Sequence, residues 1–168
     1  TEEAREVRGA WYEEMSRLVE ESYFSQLSDY CCSVGLPFSG HILLEDDIRL
    51  HPQFEGNFFS LLRHMHYPGI DMLHSVPEIV YDNAFTPKLV SSIAENYGRE
   101  HVMSEVSAHA QGGRVTDDQM LCSQLIQYAY GVDTFTSYYS ETMMEPEKYN
   151  RYNRAIGAVD ENMKGRDF

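Results

Sequence analysis

The sequence predicts an α/β fold made of parallel strand–helix units that form about half of a TIM-type barrel. Strand-like and helix-like stretches alternate through the chain, which demands a parallel sheet with the helices outside it. The predicted strand centres, near residues 41, 73, 104 and 136, recur about 32 residues apart, the size of one strand–helix crossover unit. No glycine-rich phosphate turn follows the first strand, so the competing doubly wound nucleotide-binding domain is the weaker reading. A full barrel needs eight units and typically about 250 residues, whereas these 168 residues supply four. Half a barrel on its own exposes two bare strand edges and an uncovered interior. Residues 1–168 are therefore read as one segment of a (β/α)8 catalytic domain whose remaining parts lie on either side. The rest of that barrel and its flanking domains are the expected intramolecular partners.

Each element has a local cause. Val7, Trp11, Met15, Leu18, Tyr23, Leu27, Tyr30 and Val34 recur every three to five residues, giving a helix from Thr1 to Val34. Gly35 supplies its left-handed stop and Pro37 prevents resumption. Phe38 to Leu44 is the first strand, and the carboxylates Glu45, Asp46 and Asp47 follow it at once. A loop containing His51-Pro52 leads to a short helix near Phe58 to His66, ended by Pro68-Gly69. Ile70 to Val76 is the second strand. Thr86-Pro87 reads as a cap followed by proline in the first turn, opening a helix to Tyr97 that stops at Gly98. His101 to Ser107 is the third strand, followed by a polar, glycine-bearing loop from Ala108 to Val115. Thr116-Asp117-Asp118-Gln119 is a capping box that opens a helix ending at Gly131. Val132 to Ser140, rich in Thr, Tyr and Phe, is the fourth strand, and Pro146 starts a last helix running to about Met163.

Composition narrows the function. The formal charge of −14 repels nucleic-acid phosphates and excludes that partner class. No apolar run approaches the ~18 residues of a membrane span, so no membrane partner is expected. The first residues are charged and include neither an initiator Met nor a signal peptide, and the numbering is expected to start inside a longer chain. Cys31, Cys32 and Cys122 have no metal spacing, and Cys31 and Cys32, inside the helical pattern, are expected to be small core residues. His64-x-His66 lacks a third ligand nearby, which argues against zinc. Glu45-Asp46-Asp47 could hold calcium through oxygen ligands, against the simpler reading of an exposed acidic turn.

In an α/β barrel, chemistry sits at the C-terminal ends of the strands. Those ends carry Glu45 with Asp46, Asp71 with His74, Ser104 with Glu105, and Tyr138 and Tyr139 with Glu141. Strand alternation puts His41 with Glu45, and His101 and Met103 with Glu105, on the barrel side, leaving Ile42, Leu44, Val102 and Val106 for the helix layer. Strands one and three stand roughly 10 Å apart, and inward side chains shorten that toward the spacings at which paired carboxyls flank a glycosidic bond.

Gly-His-Ile-Leu-Leu-Glu-Asp (40–46), His-Tyr-Pro-Gly-Ile-Asp-Met-Leu (66–73), Val-Met-Ser-Glu (102–105) and Gly131-Val-Asp with its aromatic run to Ser140 resemble, in the same order and on successive strands, the barrel of glycoside hydrolase family 106, the α-L-rhamnosidases. The resemblance implies a barrel hydrolase with two glutamates, inversion at the anomeric carbon, and often a calcium ion near the sugar. It implies Glu45 and Glu105 as the catalytic pair, with Glu45 assigned as the acid and Glu105 as the base, an order that could be exchanged. His41, Asp71 and Tyr139 are implied as sugar-contacting neighbours, and His74 joins them from its place at a strand end. The chain departs from the family pattern at Ser107 to Val115, where Ala-His-Ala-Gln-Gly-Gly-Arg replaces a loop richer in glycine and aromatics. Glu141 is the rival carboxyl, because a retaining clan of related barrels pairs glutamates three strands apart. A barrel that binds carbohydrate without hydrolysing it is the alternative of a different class. The resemblance also implies a periplasmic or extracellular setting.

Overall fold

The computed structural model describes residues 1–74, 76–106, 109–110, 113–114 and 116–137. The chain opens with helix α1 (Glu2–Val19), whose first turn is capped by the Thr1 hydroxyl accepting from the Ala4 N–H. A π-helical turn (Glu20–Phe24) joins it to α2 (Ser25–Ser33). Gly35 then takes φ +71 and ends the helix, as its sequence position requires. The π turn is anchored: Glu20 pairs with Arg63 and with His64, both just past the short helix α4 (Phe58–Leu62). Nearby, the Ser16 hydroxyl accepts the Asn57 N–H at 2.7 Å, fixing α1 against the loop before α4.

The predicted periodicity of this N-terminal helix is present, but its apolar stripe is not covered. Trp11 is 64% exposed, and Val7, Leu18, Tyr23, Tyr30 and Val34 are also in solvent, while Ser16 and Phe24 are the residues buried. The two cysteines expected in the core are not there either: Cys31 is half-buried and Cys32 is exposed. Cys32 Sγ lies 3.1 Å from Nε2 of His66, whose Nδ1 accepts the Phe38 N–H.

The main sheet has four parallel strands in the order β1 (Ser39–Gly40), β2 (Tyr67–Met72), β3 (Met103–Val106) and β6 (Thr134–Ser137). Every neighbour in space is the next such strand in sequence, the winding expected of a half barrel. Between them lie α3 (His51–Phe54) and α4 (Phe58–Leu62), then α5 (Pro77–Asp82) and α6 (Phe85–Asn96), then α7 (Asp117–Ala129). A short antiparallel ribbon, β4 (His109–Ala110) with β5 (Gly113–Arg114), stands in the stretch expected to be loop. The expected helix after Pro146 lies outside the described residues.

Four boundaries differ from expectation for local reasons. The first strand stops at Gly40, because Leu44 takes φ 61 and the chain turns instead of running on to Glu45. Helix α5, for which no element was expected, starts at Pro77 after extended Val76. Helix α6 then begins at Phe85, so Thr86 is a buried residue of its first turn and not its cap. The second strand begins three residues earlier than expected, at Tyr67. The capping box at Thr116 and Gln119 forms as predicted, with both reciprocal bonds present.

The core lies between sheet and helices. Ile42, Ile70, Met72 and Val102 from the strand side pack with Phe58, Leu61, Leu62, Val80, Leu89, Val90 and Ile93 from α4, α5 and α6. Alternation along β2 and β3 therefore turns Gly69 and Asp71, with Met103 and Glu105, toward the other face. Asp133 fastens the last strand to the third: its Oδ1 accepts the Val102 N–H at 2.9 Å, and its Oδ2 lies 3.0 Å from His101 Nδ1.

Candidate active site

Three carboxyl side chains and one imidazole meet at the C-terminal end of the sheet, on the face turned away from the helices. His41 stands one residue beyond β1. Its Nδ1–H is shared between Glu45 Oε1 at 3.0 Å and the Ile42 carbonyl at 2.8 Å, and its Nε2 lies 3.0 Å from Glu105 Oε2. Two such contacts on opposite sides of one ring put Glu45 Oε1 and Glu105 Oε2 no more than about 8 Å apart, the sum of both contacts and the width of an imidazole. Asp71 sits in register with Glu105 on the neighbouring strand, and its backbone N–H donates to Glu45 Oε1 at 3.2 Å.

The loop carrying Glu45 is fixed from below. The Glu45 carbonyl lies 3.1 Å from Nε2 of His51, a buried ring that stacks on Phe58 with centroids 4.9 Å apart. The Leu43 N–H donates to Glu55 Oε2 at 3.0 Å. Neither His51 nor Glu55 was singled out from the sequence. His51-Pro52 read only as a loop, and no spacing signal ties either residue to Glu45.

Glu45 was expected as the first polar group past the strand, on an open rim. The structure buries it instead, at 3% exposure, because the turn at Leu44 folds its carboxyl back over β2. Glu105 keeps 20% of its side chain in solvent and His41 27%. Asp71 is half-buried and lines a cavity of about 200 Å³ with Glu45, Asp46, His74 and the apolar walls Leu43, Leu73 and Ile79. Of the implied site residues, His41, Glu45, Asp71 and Glu105 are thus brought together, with His74 on the cavity wall. Tyr139 and Glu141, with Tyr138, lie outside the described residues.

The electrostatics follow from this packing. The bond to Glu45 raises His41 to about 9 against the opposing effect of its burial, so the ring is an imidazolium at neutral pH. Asp71 is raised to about 6, mainly by burial and further by the Glu45 and Glu105 charges, with the His41 charge and the Leu73 N–H pulling the other way. The site therefore holds a carboxyl that takes up a proton close to neutrality.

The side chains of the acidic turn do not converge. Asp47 is tied to Arg49 through a two-point contact, Glu45 is turned inward, and among the described residues no group of three or more His, Cys, Asp or Glu side chains is arranged to hold a metal. His64 and His66 are engaged separately, with Glu20 and with Cys32 and Phe38. Among the described residues no helix is long and apolar enough to cross a membrane. The chain matches no protein-family model, no curated protein sequence and no solved structure.

Proposed function

We propose that the chain is part of the catalytic barrel of a glycoside hydrolase resembling the α-L-rhamnosidases, acting on a deoxyhexose-bearing glycoside or polysaccharide. The observation that carries the reading is the gathering of Glu45, Asp71 and Glu105 around His41 at the C-terminal end of a parallel half-barrel sheet, where barrel enzymes carry their chemistry. Hydrolysis needs one carboxyl that gives up a proton to the leaving oxygen and another that activates water. The separation of at most about 8 Å between the Glu45 and Glu105 oxygens lies within reach of a pair flanking a glycosidic bond, which stands ~5 Å apart in retaining and ~6.5–9.5 Å apart in inverting enzymes. Glu105, partly in solvent, is the water-activating base in this reading. Closure of the sheet by four further strand–helix units completes a TIM-type barrel and pairs the open edges of β1 and β6. The 168-residue segment alone is expected to be inactive.

One observation favours a second reading. The His41 ring occupies the space between Glu45 and Glu105, as it would in a barrel that binds sugar without cleaving it. Turnover separates the two. The longer protein that contains this chain is assayed against a panel of aryl glycosides that includes the α-L-rhamnoside, with the anomer first released followed by NMR. Hydrolysis with inversion, lost by orders of magnitude in Glu105→Gln, supports the hydrolase. Saturable sugar binding with no product supports the binding barrel.

A further inference from the structure

The base of the sheet, at the opposite end from the candidate site, carries a second pairing of reactive side chains. Phe38 and His66 stand just before β1 and β2, and the Phe38 carbonyl accepts the His66 and Tyr67 N–H groups at 2.8 and 3.2 Å. The His66 ring reaches back from there. Its Nδ1 accepts the Phe38 N–H at 2.9 Å, and its Nε2 lies 3.1 Å from Cys32 Sγ. The first contact decides the second. A ring nitrogen that accepts an N–H carries no proton, so the proton of the ring sits on Nε2 and is donated to the sulfur. A metal held by the same two atoms would need Nε2 bare and a proton on Nδ1, which would then face the Phe38 N–H. For the same reason His66 does not take the proton of the thiol. The pair is built to give the sulfur a donor.

The sulfur is also presented. Cys32 lies in the last turn of α2, whose end is closed by the Gly35 N–H on the Cys32 carbonyl and the Leu36 N–H on the Cys31 carbonyl. Cys32 is exposed, whereas Cys31 beside it is half-buried. Consecutive residues of a helix do not face each other, so Cys31 is out of reach as a disulfide partner. Asp29, three residues earlier on the same side of α2, and the overall charge of −14 make the surroundings anionic.

We propose that Cys32, held by His66, is a thiol-modification site that takes up small disulfides carrying no negative charge. This stands apart from the hydrolase reading. The thiol releases its proton to solvent, and the electron pair left on sulfur attacks one sulfur of the incoming disulfide. A bond forms between Cys32 Sγ and that sulfur as the original S–S bond breaks, and the other half leaves as a thiolate that takes a proton from water. The His66 Nε2 proton stays in place throughout and supports the negative charge on Cys32 before the attack. With Cys31 out of reach, the mixed disulfide stays until an external thiol removes it.

The longer protein that contains this chain, fully reduced, is treated with cystamine, and peptide mass spectrometry follows the adduct on each cysteine of the chain with time. Cys32 is expected to be modified first, ahead of exposed Cys122 and half-buried Cys31, and to be restored by dithiothreitol. Glutathione disulfide, which is anionic, is expected to react more slowly, with the gap closing as salt is raised. His66→Phe keeps a ring and removes the donor. It is expected to slow Cys32 by about 10–100-fold, the worth of a hydrogen bond to a charged group, while Cys122 keeps its rate. His66→Gln, whose amide still donates, is expected to recover part of the loss. Cys122 in the same sample is the folding control, because an unfolded variant makes the three thiols react alike; should His66→Phe unfold, His66→Gln and the order of the three thiols in the parent carry the test. The proposal is overturned if Cys31 or Cys122 reacts as fast as Cys32 in the folded parent, if losing the His66 donor leaves the Cys32 rate unchanged, or if zinc protects Cys32 only when His66 is present. Faster reaction with glutathione disulfide than with cystamine overturns the charge preference.

Discussion

Gly69→Ala tests how tightly the strands that carry the site are laid together. Gly69 lies in β2 between β1 and β3, and an added Cβ would stand 2.4 Å from the Gly40 carbonyl oxygen and 2.5 Å from Met103 Cε. The methyl of Met103 can swing aside, but the Gly40 oxygen is backbone of the neighbouring strand and moves only if β1 moves with it. Overpacking of this kind costs about 1–3 kcal/mol, and a backbone obstacle belongs at the upper end. Replacing glycine also stiffens the unfolded chain and returns about 0.4–1 kcal/mol. The net loss is then about 2 kcal/mol, which lowers a urea midpoint by roughly 1 M at slopes of about 1–3 kcal/mol per M. Gly9→Ala is the matched control, since Gly9 lies inside α1 with nothing within 4 Å of its Cβ position. There the same change is expected to stabilise by up to about 1 kcal/mol. Adding Met103→Ala to Gly69→Ala should recover little, because the carbonyl contact remains. Equal midpoints for Gly69→Ala and its parent would refute the close approach of β1 and β2, and with it the placement of His41.

Three further outcomes follow from the same packing. The folded-state value of about 9 for His41 lies above its ordinary 6.5, so its contribution is complete below about pH 6.5 and is lost as pH rises through 9; stability should fall by up to about 3 kcal/mol across that window, and His41→Gln should flatten it in denaturation curves taken at several pH values. Thr116→Ala removes the hydroxyl that accepts the Gln119 N–H and is expected to cost about 1 kcal/mol by urea unfolding, with Thr116→Ser recovering most of it. Trp11 is the one tryptophan in the sequence and is exposed, so emission should be that of hydrated indole and quenched freely by iodide; a shielded, blue-shifted Trp11 would mean that the outer face of α1 is covered.

The parallel α/β order was legible because it rests on spacing: strand–helix units of about 32 residues leave a parallel sheet as the economical arrangement. Stops and caps that depend on a few adjacent residues were legible too, as at Gly35, Gly98 and Thr116. Elements that depend on tertiary contact were not. Ile42-Leu43-Leu44 reads as a continuing strand, yet only Ile42 enters the core, Leu43 is half in solvent, and Leu44 turns the chain. The stripe along α1 was correctly periodic, but periodicity reports which face is apolar and not what lies against it. Thr86-Pro87 carries the signature of a cap, yet helix α6 starts one residue before it, behind the turn that ends α5. In the site, residue type and strand-end position picked out Glu45, Asp71 and Glu105. Their division into one buried and two accessible groups depended on a backbone turn and on His51, neither of which leaves a pattern in the sequence.

The site's charge balance explains why the accessible carboxyls differ. One imidazolium stands among Glu45, Asp71 and Glu105, and its two nitrogens are already directed at Glu45 and Glu105. Asp71 loses solvent on burial, which outweighs the pull of the His41 charge, and both carboxylates add to the rise. A single cation shared this way leaves the third acid as the one with the strongest reason to hold a proton. The Glu45 loop is held by His51 and Glu55 rather than by the strand itself. Loosening either anchor should therefore act on the proton held by Asp71, through Glu45, even though neither residue faces the cavity's Asp71 wall.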